Sequence, residues 1–261
     1  MLLFAGPCAM LPDHDRMVKL AVELKAAGAD IFRAATRKGG TFPPADPKVW
    51  GTVDAMELAR IKEAAGMPVS NEIGSMPEFW NQFWCDYIWT PARKFQAYDF
   101  IRELASGIAR GVKPEEAGPL ELAHPPTGQG LMLKRGMGCT AREIFGMIEH
   151  VKSVGYDLRK LWIIERGIGA LGTDDVSRWR PDLMIVPQIK EKYPEVKVCY
   201  DVTHSIGRWE YAMAMAKAGA AVGCDGLMLE VLDVPEDSPS DARETINLET
   251  FRLIAQAVKG K

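Results

Sequence analysis

Four side chains able to ligate a metal lie far apart in this chain. Each stands at the end of an apolar run or in the turn after one. Cys8 closes LLFAGPC, His204 follows VKVCYDV, Glu230 ends DGLMLE, and Asp241 falls in the turn-rich PEDSPSD beyond it. A thiolate, an imidazole and two carboxylates form a mixed sulfur, nitrogen and oxygen set. Such a set suits divalent zinc, iron, manganese or cobalt better than magnesium or calcium. The order Cys, His, Glu, Asp has no local metal-motif spacing, so the expectation of one shared site rests on the strand ends. Each residue also has an ordinary explanation: Cys8 as a buried apolar side chain, His204 as a hydrogen-bonded strand-end residue, Asp241 as a cap or turn residue.

A second set is cationic. Arg33, Lys38, Arg93, Lys134 and Arg166 also fall at or just beyond the ends of β-type runs, in a chain whose net charge is −3. Gathered at one place they repel one another unless a small, highly charged anion joins them, and arginine suits bidentate recognition of carboxylate or phosphate. The alternative is that they pair with Glu72, Glu165, Asp201 and Asp225.

The elements that must position these residues alternate. Strand-like runs LLFAG, ADIFRA, MPVSNEIG, DYIWTPAR, GLMLKRG, LWIIERG, VKVCYDVTH and DGLMLEV are each followed by a helical pattern, which predicts a parallel α/β fold. Eight such units in 261 residues predict a single-domain (β/α)8 TIM barrel over 1–261, with a Pro- and Gly-rich inserted loop at about 109–130. In that fold, function sits at the C-terminal strand ends, where both sets fall. A doubly wound open sheet is the competing fold and would scatter them. No apolar run approaches the roughly 20 residues of a membrane span, and MLLFAGPCAM lacks the basic start of a signal peptide. Five cysteines without paired spacing argue against a disulfide framework and for a cytoplasmic protein. The slight acidity argues against a nucleic-acid partner. The aromatic cluster Phe79, Trp80, Phe83, Trp84 suits either core or an interface.

At the level of motifs the chain resembles the phosphoenolpyruvate-dependent 3-deoxy-ulosonate synthases: compact-type DAHP synthase, with KDO-phosphate synthase as sister group. The resemblance rests on AGPC (5–8), FRAATRKGGT (32–41), PAR with Gln96, LKRGM (133–137), ERGI (165–168), DVTHS (201–205), DGLMLEV (225–231) and SD (240–241). It implies that Cys8, His204, Glu230 and Asp241 bind a divalent metal (manganese, iron, zinc or cobalt). It also implies that Arg33, Lys38, Arg93, Lys134 and Arg166 hold the phosphate and carboxylate of phosphoenolpyruvate, that Asp201 faces an aldehyde sugar, and that Glu72 lies near the reacting carbons or the attacking water. Lys134, His204, Glu72 and Asp201 are then the residues expected to carry the chemistry. The implied reaction is an aldol-type condensation: C3 of phosphoenolpyruvate attacks the aldehyde, water adds at C2, and C–O cleavage releases phosphate and a 3-deoxy-2-keto acid. The metal would act as Lewis acid on the aldehyde. The resemblance further implies a homodimer or homotetramer.

The sequence departs from the family where the acceptor is held. The Lys-Pro-Arg-Thr signature of DAHP synthase reads Lys38-Gly39-Gly40-Thr41, so the arginine that grips the aldehyde's phosphate is Gly40. The Asn-Arg-Ser triplet of KDO-phosphate synthase is absent too. The arginine-containing continuation after ERG becomes Gly169-Ala170-Leu171-Gly172. Either Arg37, Lys48, Arg178, Arg180 or Arg208 substitutes for the missing grip, or the acceptor differs from erythrose 4-phosphate; the second is preferred. The chain starts at the first expected strand, which leaves no room there for a regulatory domain. An aldolase or lyase that does not use phosphoenolpyruvate, and a non-catalytic sugar-phosphate-binding barrel, are the competing functions.

Overall fold

The computed structural model describes residues 1–37, 54–82, 84–111, 129–169 and 178–260. Lys38, the run Gly39-Gly40-Thr41, Lys48, Phe83, Ala170-Leu171-Gly172 and nearly all of the expected insertion lie outside the described residues. The eight expected strands are present: β1 (Leu2–Gly6), β2 (Ile31–Arg33), β3 (Val69–Glu72), β4 (Tyr87–Thr90), β5 (Gly130–Lys134), β6 (Leu161–Glu165), β7 (Lys197–Asp201) and β8 (Gly226–Glu230). They pair in sequence order, all parallel, and β8 closes on β1 with Phe4 opposite Met228 and Gly6 opposite Glu230. The sheet is a closed barrel, and the open-sheet alternative is excluded.

Helices α1 (His14–Ala26), α2 (Ala55–Ala65), α3 (Met76–Trp80), α4 (Tyr98–Arg110), α5 (Ala141–Ser153), α6 (Ile185–Lys192), α7 (Val202–Ile206), α8 (Ala212–Ala221) and α9 (Leu248–Lys259) alternate with the strands. None among the described residues is long and apolar enough to cross a membrane. Their apolar stripes pack on strand side chains of one parity, such as Leu3, Ala5, Leu131, Leu133, Ile163 and Leu229, which belong to the large core. Phe79 and Trp84 are buried in that core as well, so these two rings serve packing. The opposite parity points into the barrel, because successive strand residues alternate faces. Phe4, Ile31, Trp89, Met132, Trp162, Ile164, Cys199 and Met228 fill that interior.

One local expectation needs correction. The seventh strand does not run to His204: it stops at Asp201, and α7 begins at once. The cause is Asp201 itself, an N-cap whose carboxylate accepts from the His204 backbone N–H.

Gly6 ends β1 at φ 151°, and a Cβ there would lie 2.2 Å from the Arg33 carbonyl oxygen. That neighbour is backbone and cannot swing away. Gly6→Ala is expected to destabilise the barrel by about 3 kcal/mol, read as a lowered urea midpoint with an unchanged slope.

Candidate functional site

The inward parity runs on past the apolar interior into the charged residues at the C-terminal strand ends. Arg33, Glu72, Lys134, Asp201 and Glu230 continue the phase of Ile31, Ser70, Met132, Cys199 and Met228, and Arg166 lies two residues beyond Ile164. Arg135 and Glu165 have the other parity and face the helices. There Arg135 donates to Glu165 at 2.7 Å, to Asp182 at 2.8 Å and to the Cys139 carbonyl, a buried structural bridge. One residue of register thus separates a framework arginine from the mouth lysine beside it.

Cys8, His204, Glu230 and Asp241 converge, their ligand atoms all within 4.8 Å of one another. His204 Nε2 lies 3.0 Å from Glu230 Oε1, 3.8 Å from Cys8 Sγ and 3.9 Å from Asp241 Oδ2, and the Cys8 thiol approaches Asp241 Oδ2 at 3.3 Å. Tetrahedral bonds of about 2.0–2.3 Å would set donors roughly 3.3–3.8 Å apart. The four therefore fit one transition-metal-sized ion. Asp241 is the sole non-glycine residue with positive φ (60°) among the described residues, a conformation aspartate tolerates better than most side chains. Arg178 donates to Asp241 at 2.7 Å and to Glu244 at 2.7 Å, tying the two carboxylates together. Burial raises the Glu244 carboxyl to about 8 against the pull of Arg178, with Glu230 and Asp241 adding to the rise.

Asp201 supports the histidine from behind. Its carboxylate lies 3.0 and 2.9 Å from Nδ1, an arrangement that makes Nδ1 the protonated nitrogen and leaves Nε2 facing Cys8, Glu230 and Asp241. The same carboxylate takes the Lys134 ammonium at 2.8 Å. Burial opposes its charge, yet His204 and Lys134 hold Asp201 well below the ordinary carboxylate range. Arg33, fully buried, donates to Glu230 at 3.1 Å and lies over the Trp89 ring, 5.0 Å from its centroid. Burial works against that guanidinium as well, and Glu230, then Cys8, Asp201 and Glu72, keep it charged. Glu72 accepts from the Trp89 indole at 3.0 Å. Arg166 is buried and makes no ion pair among the described residues. Arg93 is in the 3-10 turn Ala92–Lys94 after β4, on a cleft of about 320 Å³ shared with Arg37, Glu72, Gly74, Glu78, Pro91 and Lys94.

The structure thus brings together the four expected ligands and Arg33, Lys134 and Asp201, with Glu72 beside Trp89. Of the expected carboxylate partners, Asp201 takes Lys134, whereas Glu165 serves Arg135 and Asp225 serves Lys190. Of the substitute cations, Arg37 pairs with Glu78, Arg208 with Glu210, and Arg178 with Asp241 and Glu244. Glu244 and Trp89 were not foreseen. Trp89 shares the inward parity of β4 and was legible on that ground, whereas nothing local marks Glu244.

The site is thus a cluster of four groups that could hold a metal ion, beside buried cations, at the C-terminal end of a parallel eight-stranded barrel. Comparison with known proteins narrows this. The model of the DAHP synthetase I family matches residues 126–261. The phospho-2-dehydro-3-deoxyheptonate aldolase of Thermotoga maritima is 25% identical over 258 residues, covering 98% of this chain and 68% of that protein. A 2-dehydro-3-deoxyphosphooctonate aldolase of Rhodopseudomonas palustris (strain HaA2) is 23% identical over 273 residues, covering 98% and 86%. The crystal structure of the Thermotoga maritima DAHP synthase superposes with a TM-score of 0.82 at 24% identity, over 100% of this chain and 68% of that one, and so bears on the fold. A truncated form of the same enzyme gives 0.77 over 100% and 86%. The chain belongs to the DAHP synthetase I family.

Asp201→Asn removes the charge behind His204. Affinity for added zinc or manganese, measured by calorimetry, is expected to fall about 10- to 100-fold.

Proposed function

We propose that the protein condenses phosphoenolpyruvate with an aldose or aldose phosphate. The product is a 3-deoxy-2-keto sugar acid, with inorganic phosphate released. The observation that carries this reading is the adjacency of two half-sites in one barrel mouth. Glu230 Oε1 is 3.0 Å from the proposed ligand His204 and 3.1 Å from the buried cation Arg33. Family membership supports it, and so do the two kinds of relative, both named as aldolases of phosphorylated 3-deoxy-ulosonates.

In this reading Cys8, His204, Glu230 and Asp241 hold a divalent ion, which when bound supplies Lewis acidity toward the aldehyde oxygen. Arg33, Lys134 and Arg166, with Lys38 and Arg93, hold the phosphate and carboxylate of phosphoenolpyruvate so that C3 faces the carbonyl carbon. Arg33 and Lys134 each already share a carboxylate, which limits their mutual repulsion before the anion arrives. Both His204 ring nitrogens are engaged, Nδ1 by Asp201 and Nε2 by the ligand cluster, so proton traffic falls to other groups. Lys134 gives a proton to the aldehyde oxygen as the C–C bond forms. Glu72, steadied by the Trp89 N–H, takes one from the water that adds at C2. The C2–O bond to phosphate then breaks as the keto group forms. Asp201 acts on the acceptor indirectly, through His204 and Lys134.

The acceptor is proposed to differ from erythrose 4-phosphate, because Gly40 replaces the arginine of the acceptor-phosphate signature and Arg37 is partnered by Glu78. The protein is further proposed to act in the cytoplasm as a homo-oligomer.

Purified protein with phosphoenolpyruvate and a panel of free and phosphorylated aldoses should release phosphate only when an aldehyde is present. Mass spectrometry should find the mass of aldose plus phosphoenolpyruvate plus water minus phosphoric acid. No phosphate release with any aldehyde sinks the reading; family-typical turnover of erythrose 4-phosphate sinks its acceptor part. Cys8→Ala should lose both bound metal and turnover by about 100-fold or more, with elemental analysis and a phosphate assay as the two readouts.

A further inference from the structure

Three buried arginines lie at the C-terminal end of the barrel, and they are held in different ways. Arg135 is saturated by Glu165 and Asp182. Arg33 is paired with Glu230. Arg166 is 5% exposed, has no carboxylate within ion-pair distance among the described residues, and keeps its Nε without a hydrogen-bond partner. What it does have is an aromatic face: its guanidinium carbon lies 4.9 Å from the centroid of the Trp179 ring. Burial, with Arg178 alongside, pulls Arg166 below its ordinary range despite the help of Asp201.

Trp179 is placed by its backbone. Its N–H donates to the Ser205 carbonyl at 3.2 Å, just after the proposed ligand His204, and the next residue, Arg180, exchanges two hydrogen bonds with Ile168 at 2.9 and 3.1 Å. Gly167 allows the approach: at φ 90°, a Cβ there would sit 2.5 Å from the Trp179 Cβ. The short strap 178–180 therefore joins the two half-sites, with Arg178 on the ligand Asp241 and Trp179 under Arg166.

We infer that Trp179 is a positioning residue for substrate anion binding: its ring orients the Arg166 guanidinium so that the N–H donors stay free for a phosphate or carboxylate oxygen. The physical reason is donor economy. A carboxylate would orient the guanidinium as well, but would occupy its fork and cancel its charge, as Glu165 and Asp182 do for Arg135. A π face fixes the plane of the cation and spends no in-plane donor. The inference rests on the anion-binding reading of this mouth given above.

Phosphoenolpyruvate is the probe, in calorimetry and in steady-state kinetics, with thermal melting and metal content as checks on the fold. Trp179→Leu is expected to raise KM and the dissociation constant for phosphoenolpyruvate about tenfold or more, with kcat within about threefold and bound metal unchanged. Trp179→Phe, which keeps a ring, should recover most of that loss. In an Arg166→Lys background the Trp179→Leu effect should shrink to under about threefold, because the planar partner is gone. Unchanged phosphoenolpyruvate affinity in Trp179→Leu overturns the inference, as does an equal loss in the Phe and Leu variants or an undiminished loss in the Arg166→Lys background. If the parent protein itself binds no phosphoenolpyruvate, it is the proposed function that fails, and the two outcomes are separate.

Discussion

The mouth of this barrel depends on the compensation of charges that cannot reach water. Asp201 and Glu230 are fully buried, and isolated carboxylates there would cost several kcal/mol each. Each is instead shared. Asp201 lies between Lys134 and His204, and Glu230 between Arg33 and His204. His204 is therefore the hinge of a chain of contacts that runs Lys134, Asp201, His204, Glu230, Arg33. Removing any member strands a buried neighbour, which makes the chain a constraint on the whole site rather than a set of separate contacts.

The same chain accounts for why the two half-sites stand together. A cluster of thiol and carboxylates favours a cation in its midst, and a group of buried arginines and a lysine favours an anion. Placed apart, each would need its own counter-charges. Placed side by side, Glu230 and Asp201 serve both, while Arg166 remains unneutralised by any ion pair among the described residues. Arg178 extends the logic outward: it holds Asp241 and Glu244 together where these carboxylates would repel.

Much of this was legible in the chain. Eight apolar runs separated by helical patterns pointed to the barrel, because each run is short and is followed by a helical pattern. Position at or just beyond the strand ends made Cys8, Arg33, Lys134 and Glu230 visible, since function in a barrel of this kind sits at that end. The end of β7 was misjudged for a local reason. VKVCYDVTH has continuous β-branched and aromatic character, and the stop is imposed by a hydrogen bond from the His204 backbone to Asp201 rather than by a breaker residue. The contact of Asp201 with the His204 ring was not legible either, because its position one helical turn from His204 appears only once α7 exists.

By itself, the sequence determined the fold and which side-chain types stand at the strand ends, since hydrophobic period and side-chain type are local properties. Tertiary structure alone decided who partners whom. Arg178 and Asp241 are 63 residues apart, and Cys8 and His204 are 196 apart. No propensity or spacing encodes those meetings; they follow from closing the sheet, which brings β8 back against β1. Whether an arginine is held in ion pairs, like Arg135, or has no ion pair among the described residues, like Arg166, is set by which neighbours that closure supplies.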